Sequence, residues 1–266
     1  MFHVKLFVAF LCYSFAGWLW EECLCFVEEG KLVNRGFLNG PILPIYGVGA
    51  LVIYGILTNE TLSLIPLFCT GATVAVTLEY FTSLIMEIVF HARWWDYTDR
   101  KCNLDGRICI EGFIVFGIFG VIEVSYVHPW LISKISAIDE MTLLVGALVT
   151  FMLFVCDVVI STLHALKIKE RLDHIHKELE AFKESHVFED IEMVFEYYLE
   201  HPEYCRGDLK EFNQLVLSYQ FHRMLDAFPR MKIMVEEHQE IFEDIRVYKM
   251  KIRERRKEIK QKIGAK

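Results

Sequence analysis

Five stretches of mostly apolar residues within the first 164 positions constrain the fold of this chain more than any other feature. A helix needs about 20 such residues to cross the hydrocarbon core of a bilayer, and all five come close to that length or exceed it. The sequence therefore predicts an all-α fold, a polytopic membrane helix bundle with about five transmembrane helices. The second stretch is the shortest; in chain order they are Phe2 to Val27, Pro41 to Leu57, Leu62 to Phe90, Phe113 to Ile135 and Met141 to His164.

Charge divides the chain into two parts. Up to His164, 8 Lys and Arg residues stand against 15 Asp and Glu residues, whereas the remainder holds 20 against 21. The whole chain is 54% apolar and 24% charged, an average that hides one apolar and one charged segment. We therefore predict a transmembrane helical domain over residues 1–164 and a cytoplasmic helical tail over residues 165–266.

The tail has the apolar spacing of packed helices. Its first seam repeats at spacings of four, three, four and three, which is typical of a coiled coil or of two packed helices. Two proline breaks further along predict three or four helices, arranged as a small bundle or an oligomerisation stalk. The first seam is Ile168, Leu172, Ile175, Leu179 and Phe182, and a second stripe is Met234, Ile241, Ile245, Tyr248 and Ile252.

The connections between the apolar stretches differ in charge. Lys and Arg number two in the first connection, none in the second and four in the third, and one, Lys134, borders the fourth. Because short cytoplasmic loops carry the excess of Lys and Arg, the first and third loops should face the cytoplasm. The predicted topology is a multi-pass protein of the cell membrane, with the amino terminus outside and the tail cytoplasmic. This topology requires an odd number of spans.

Several acidic residues lie inside the apolar stretches. An ionisable group in a span is costly and usually faces protein or a water-filled cavity. Glu79 and Glu87 lie on one face of the third stretch, two four-residue steps apart, and Glu21 lies on a small and polar face of the first. We predict that these three carboxyl groups line a polar cavity that binds a substrate. Glu123 and Asp157 either complete that cavity or only hydrogen-bond neighbouring helices.

The first and third loops have an unusual composition. Residues 34–47 combine glycine and proline turn signals with apolar residues, which predicts a segment that packs at the membrane face or dips into it. Residues 90–109 bring aromatic residues, arginines and an aspartate to the bilayer surface. Either the arginines pair with the buried acids, or the aromatic residues form an interfacial belt and the arginines follow the charge bias of cytoplasmic loops. The predicted substrate-binding residues of the two loops are Asn34, Arg35, His91, Arg93, Trp94, Trp95, Asp96, Tyr97, Asn103 and Arg107.

Taken together, these motifs resemble one known family. They are Gly17-Trp18-Leu19-Trp20-Glu21, Asn34-Arg35-Gly36-Phe37-Leu38, Gly40-Pro41, Pro44-Ile45-Tyr46-Gly47, Glu79-Tyr80, Glu87, the run from Phe90 to Tyr97, Asn103 and Gly106-Arg107-Ile108. Over roughly residues 10 to 125 they resemble the CmpB-like group described as putative ABC-transporter type IV. The resemblance implies a multi-pass bacterial membrane protein of the permease kind and supplies no catalytic residues. The tail lies outside the resemblance.

These observations favour a transport function over two alternatives. We predict a transport-related membrane subunit that moves a small solute or lipid through the carboxylate-lined cavity. The first alternative is an intramembrane enzyme for a lipid or isoprenoid-like substrate, with Glu87, His91 or Asp96 as its acid or base. Arg93 or Arg107 would then bind an anionic group of that substrate. The second alternative is a membrane scaffold or sensor whose tail recruits partners.

The sequence also limits the cofactors and partners. No GxxxxGK[ST] loop that would cradle phosphates occurs, so an ATPase would be a separate subunit. The eight cysteines include no CxxC pair, and Cys102, Cys109 and His91 are too loosely spaced for a metal, so no metal or cofactor is predicted. The tail's net charge of minus one argues against nucleic acid. The predicted partners are membrane lipids, the ATPase subunit and further copies of the chain, held through the bundle or the tail.

Overall fold

The chain forms an all-α membrane helix bundle. The structure is a computed structural model, and it describes residues 1–30, 32–57, 62–186, 193–194, 197, 219–228, 230–234, 239, 242–247 and 250–251. The only strands in the described part are two residues long. The elements are α1 (Phe2–Glu29), α2 (Pro44–Leu57), α3 (Leu64–Phe90), β1 (Ala92–Arg93), α4 (Ile110–Ile122), a π-helical turn (Glu123–Val127), α5 (His128–Ser136), α6 (Glu140–His186), α7 (Tyr219–Ala227) and β2 (Lys232–Ile233).

Among the described residues, four helical segments are long and apolar enough to cross a membrane, and they coincide with four of the five predicted spans. They are Phe2–Val27, Leu64–Phe90, Ile110–Ser136 and Glu140–Phe182. The second predicted span is a shorter helix, because α2 has 14 residues and is therefore about 21 Å long. A helix needs about 20 residues to cross the hydrocarbon core, so α2 covers only part of that distance.

The bundle has two ends, here called the tail side and the far side. Lys5, near the start of α1, donates a hydrogen bond to Ser136 at the end of α5 over 3.0 Å, which defines the far side. Ala9 of α1 and Leu143 of α6 share a buried cluster there. From these contacts α1, α3 and α6 run toward the tail side, while α2 and the α4–α5 segment run away from it.

The segment before α2 enters the bundle instead of lying on its surface. The backbone N–H of Leu43 donates to the carbonyl oxygen of Ser14, in the middle of α1, over 3.0 Å. The backbone N–H groups of Asn39 and Gly40 reach Asp157, which lies within the membrane-spanning part of α6. Non-helical chain therefore covers the tail-side part of this crossing and α2 covers the remainder, which explains why α2 is short.

Two glycines let α2 approach α1 closely. A Cβ atom added to Gly47 would overlap Ser14 Oγ and would lie 2.6 Å from the backbone oxygen of Phe10. A Cβ atom on Gly17 would overlap the ring of Tyr46. Small residues at helix contacts are a general feature of membrane bundles, where close van der Waals packing replaces the hydrophobic effect.

The tail folds around the tail-side extension of α6. All five residues of the predicted first seam are buried, and they share one core with Ala92 and Trp94 of the third loop. The predicted division between residues 164 and 165 therefore falls inside one continuous helix, and the division into two domains stays a prediction. Of the second stripe, Ile245 is buried while Met234 is 49% exposed, so Met234 does not belong to this core. Residues 201–203, 241, 248 and 252 lie outside the described residues.

A short antiparallel ladder joins the tail to the third loop. Strand β1 follows α3 after one residue, and it pairs with β2 of the tail, with Ala92 opposite Ile233 and Arg93 opposite Lys232. The backbone N–H of Met234 also donates to the carbonyl oxygen of His91 over 3.0 Å. The tail and the third loop are therefore packed together as one unit at the tail side.

The close contact between α1 and α2 yields a matched pair of substitutions. Gly47→Ala should lower the thermal stability of the full-length protein in detergent, because its Cβ meets the backbone oxygen of Phe10 in α1, which cannot move aside. Overpacking of this kind costs about 1–3 kcal/mol. Gly55→Ala in the same helix is the control, because a Cβ there meets no atom within 4 Å. Equal melting temperatures for the two variants would contradict this packing.

Candidate functional site

One acid and two arginines form an ion-pair cluster where α3 meets the third loop. Arg93 donates from Nε to Glu87 Oε2 over 2.9 Å, and Arg107 Nη2 lies 3.0 Å from the same oxygen. Arg107 also donates to Ser83 Oγ over 3.0 Å and lies over the ring of Tyr80. Arg107 is 5% exposed, so its charge depends on these neighbours. The pairing of buried acids with loop arginines is thus found for Glu87, and both guanidinium groups are engaged within the protein.

The third loop is held in a fixed shape by its own hydrogen bonds. The side-chain amide of Asn103 donates to the backbone oxygens of Thr98 and Arg100, and its oxygen accepts from the backbone N–H of Gly106. Gly106 has a φ of +65°, a conformation that favours glycine. Trp95 donates from its indole N–H to the backbone oxygen of Arg107 over 3.1 Å. Asn103 therefore shapes the loop and does not face the buried acids.

The aromatic residues of this loop do not all behave as an interfacial belt. Trp94 is 2% exposed and packs edge-on against Phe37, Phe90 and Phe228. Its environment is thus a protein core built from the first loop, α3 and the tail. His91, by contrast, is exposed, has a φ of 53° at the end of α3, and takes no part in the polar clusters. No contact of His91 in the described structure supports its predicted role in a binding site.

Asp96 faces the tail. Its carboxylate accepts from Lys232 Nζ at 2.5 Å and from both the backbone N–H and the hydroxyl of Thr98. Burial alone would raise the pKa of Asp96, but the hydrogen bonds from Lys232 and Thr98 outweigh burial and hold that pKa below its ordinary value. Asp96 is therefore a carboxylate anchor between the loop and the tail.

Two acids and two tyrosines from four segments form a second cluster, here called the acid–tyrosine cluster. Tyr46 of α2 donates to Glu21 Oε1 over 2.7 Å, and Tyr97 of the third loop donates to Glu79 Oε1 over 3.1 Å. Burial, followed by the nearby carboxyl groups of Glu79 and Glu21, raises the pKa of Tyr97, so its hydroxyl stays a neutral donor. Arg35 Nη1 lies 3.9 Å from Glu21 Oε2.

One oxygen of this cluster has no partner. Glu79 is 7% exposed, and its Oε2 has no hydrogen bond within the described part of the chain. Gly112 of α4 lies beside this oxygen, and a Cβ atom added to Gly112 would lie 3.7 Å from it. A buried acceptor without a donor is unfavourable by itself, so this oxygen marks a place where a ligand group would be stabilised.

The first loop is fixed by a third set of polar contacts. Asp157 accepts from the backbone N–H groups of Asn39 and Gly40 over 2.9 and 2.7 Å, and from the side chain of Asn39 over 2.8 Å. Asn34 accepts from the indole of Trp18, and Glu22 accepts from the backbone N–H of Arg35. The predicted binding residue Asn34 and the backbone of Arg35 are therefore used to hold the loop.

The tail donates three further hydrogen bonds to the first loop. Arg223 of α7 donates to the backbone oxygens of Gly36 and Leu38 from Nη1, over 2.7 and 2.9 Å, and to that of Phe37 from Nη2 over 3.0 Å. One guanidinium thus satisfies three consecutive carbonyl groups of non-helical chain. The tail contacts both loops on this side of the bundle, the first through Arg223 and the third through Lys232.

The predicted site residues thus separate into groups. Glu87, Arg93 and Arg107 come together, as do Glu79 and Tyr97, and Glu21 lies beside Arg35. Tyr46 was missed as a site residue although it lies in the Pro44-Ile45-Tyr46-Gly47 motif. Arg223 and Lys232 were also missed, because their partners lie more than 100 residues away, which leaves no local signal. Asp157 was singled out by its position in a span, and it hydrogen-bonds the first loop. No group of three His, Cys, Asp or Glu side chains able to hold a metal occurs among the described residues.

The ion-pair cluster predicts strong coupling between its members. Glu87→Gln should destabilise the protein by about 3–5 kcal/mol, because it leaves the buried Arg107 without a carboxylate. Glu111→Gln is the control, because Glu111 pairs with Arg100 at the exposed surface, where a pair contributes about 1 kcal/mol or less. In unfolding measurements Glu87→Gln, Arg93→Gln and the double variant should deviate from additivity by about 0.5–3 kcal/mol. Additive effects would contradict a shared cluster.

Comparison with known proteins identifies the family. The family model described as putative ABC-transporter type IV matches residues 8–162, which is more than half of the chain and extends from α1 into the membrane-spanning part of α6. No curated protein and no solved structure matches the chain. The matched region contains the ion-pair cluster, the acid–tyrosine cluster and the first loop, while residues 163–266, which include the tail, lie beyond it. The chain therefore belongs to the putative ABC-transporter type IV family.

Proposed function

We propose that this chain is the membrane-embedded subunit of a transport system and that Glu21 and Glu79 bind the transported solute. The observation that supports this proposal is the buried Glu79 Oε2, which has no hydrogen-bond partner in the described structure. It lies among side chains from α1, α2, α3 and the third loop. A path between these segments would bring a solute past both carboxyl groups.

The chemistry of the acid–tyrosine cluster favours a solute with N–H donors and a positive charge. Tyr46 donates to one oxygen of Glu21, and Tyr97 donates to one oxygen of Glu79. The carboxyl oxygens of the cluster can accept hydrogen bonds from further donors. An unpaired carboxylate is costly in a low-dielectric interior, and a cationic donor removes that cost. A primary ammonium group combines three donors with one charge.

The other predicted functions receive less support. Arg93 and Arg107 both pair with Glu87, which argues against their binding an anionic lipid or solute. An enzyme that uses Glu87 or Asp96 as acid or base would first have to release these groups from their partners. A scaffold function does not account for a carboxyl group buried without a partner in a span.

Family membership bears on the partners and the orientation. An ABC transporter hydrolyses ATP, and because this chain has no phosphate-cradling loop, we propose a separate ATPase subunit that binds at the tail side. We also propose that the tail side is cytoplasmic, since the loops with Arg35, Arg93 and Arg107 lie there. A second copy of the chain, lipids at the apolar outer surface, or both would complete the path.

Ligand stabilisation of the full-length protein in lipid nanodiscs tests the proposed binding residues. Ethyl-, benzyl- and hexylammonium are the probes, and tetraethylammonium is the matched cation without N–H donors. At about 100 times its Kd a ligand stabilises by about 2.7 kcal/mol, so at least one primary ammonium should raise the melting temperature of the wild type. The rise should disappear in Glu79→Gln and persist in Glu111→Gln.

Two outcomes would contradict the proposed function. The first is that no primary ammonium stabilises the wild type. The second is that Glu79→Gln keeps the full stabilisation. An effect of tetraethylammonium equal to that of the primary amines would remove the argument from N–H donors, because a quaternary ion offers charge without hydrogen bonds.

A further inference from the structure

Another buried polar cluster lies in the far half of the bundle and plays no part in the proposed binding of a solute. It consists of Tyr13 of α1, Tyr54 of α2, Glu123 of the π-helical turn and His128 at the start of α5. His128 is 2% exposed and Glu123 is 7% exposed. An ionisable pair buried at this depth needs a specific reason, because each charge is costly in a membrane-spanning segment.

The geometry of this cluster is centred on one nitrogen of His128. Its Nδ1 lies 2.9 Å from the hydroxyl of Tyr13 and 3.4 Å from Glu123 Oε1. The Tyr54 ring stacks on the imidazole at 3.4 Å between centroids and an angle of 15°. Neither oxygen of Glu123 has a hydrogen-bond partner in the part of the chain that the structure describes. Nδ1 therefore faces both the Tyr13 hydroxyl and the Glu123 carboxyl group, but it can form a hydrogen bond with only one of them at a time.

The π-helical turn brings Glu123 and His128 together. The ring of Pro129 would meet the carbonyl of Ser125 in a regular α-helix, and proline has no N–H to donate there. The backbone N–H of His128 instead donates five residues back to Glu123, which widens the turn. Such single π turns within α-helices are frequent at functional sites. The widened turn brings both side chains of the pair to face α1 and α2.

We propose that Glu123 and His128 form a proton-binding site. In the proton-loaded state the carboxyl group of Glu123 carries the added proton, while the Tyr13 hydroxyl donates to an unprotonated Nδ1. In the unloaded state the imidazole takes the tautomer with hydrogen on Nδ1 and donates it to the Glu123 carboxylate. On unloading, the Glu123 O–H proton passes to Nδ1 and the proton on Nε2 leaves, so one O–H bond and one N–H bond break, one N–H bond forms, and the net change is one proton. The Tyr13 hydrogen bond to Nδ1 is released. The short distance to Tyr13 and the longer one to Glu123 fit the loaded state.

The surroundings of the site support a proton as the ligand. The titratable groups that face it are Tyr13 and Cys12 from α1 and Tyr54 from α2. The apolar residue Leu143 of α6 lies in the adjoining cluster of buried side chains. Among the described residues no Lys or Arg pairs with Glu123, so no fixed positive charge holds its carboxylate. Two protein ligands are also too few for a metal centre.

Infrared difference spectroscopy of the full-length protein in nanodiscs, titrated from acid to alkaline pH, tests this site. A carboxylic-acid C=O band should be lost on deprotonation and should shift in D2O. Glu123→Gln should remove this band, whereas Glu111→Gln, at the exposed surface, should keep it. Glu79→Gln should remove a separate band, so Glu79→Gln compared with the Glu79→Gln/Glu123→Gln double variant isolates Glu123. Tyr13→Phe should change the frequency of the Glu123 band.

A second measurement uses the unaltered protein. With 15N-labelled histidine, the Nδ1 resonance assigned to His128 should change over the same pH range as the infrared band, because one proton governs both groups. A Glu123 band that is absent from the wild type would overturn the proposal, and so would a His128 resonance that stays constant while the band titrates. Failure of ammonium binding at Glu79 would leave these two results unchanged, so this site and the proposed function are tested separately.

Discussion

A backbone amide inside a bilayer has no water to bind, and this constraint governs the segment from Asn34 to Leu43. The segment is not helical, yet it reaches the level of Ser14 in α1. Irregular backbone at such depth is tolerated only where protein satisfies its hydrogen bonds. Asp157 supplies the acceptor for two backbone N–H groups, and Arg223 supplies the donors for three backbone oxygens. One partly buried acid and one tail arginine therefore hold a non-helical chain in the bundle.

The rest of the tail-side architecture depends on how this segment enters the bundle. Because the segment covers part of the crossing, α2 begins inside the bundle and brings Tyr46 to Glu21. Phe37 of the same segment packs on Trp94, which ties the first loop to the third. The third loop in turn holds Tyr97 against Glu79 and Asp96 against Lys232. The acid–tyrosine cluster is thus assembled from segments whose positions depend on one another.

Much of the bundle was predictable, since hydrophobic length alone locates the spanning helices and four-residue spacing puts Glu79, Ser83 and Glu87 on one face of α3. The glycine and proline content of residues 34–47 correctly favoured a packed segment over a floppy linker. The environment of Trp94 could not be decided from the sequence. An aromatic residue that follows a span has the same neighbours in the sequence whether it lies in an interfacial belt or in a protein core. The contacts of Asp157 and Arg223 could not be predicted, because their partners are 117 to 187 residues away and carry no matching pattern.

Hydrogen exchange of the amides in the first loop tests this account most directly. The full-length protein in nanodiscs would be compared with Asp157→Asn and with a control, Asp139→Asn, whose side chain caps Thr142 in the exposed far-side turn. We expect the amides of Asn39 and Gly40 to exchange far more slowly than those of an unstructured chain in the wild type and in Asp139→Asn. In Asp157→Asn their protection should fall, because the carboxylate that accepts both N–H groups is gone. Rapid exchange in the wild type, or unchanged protection in Asp157→Asn, would contradict the account.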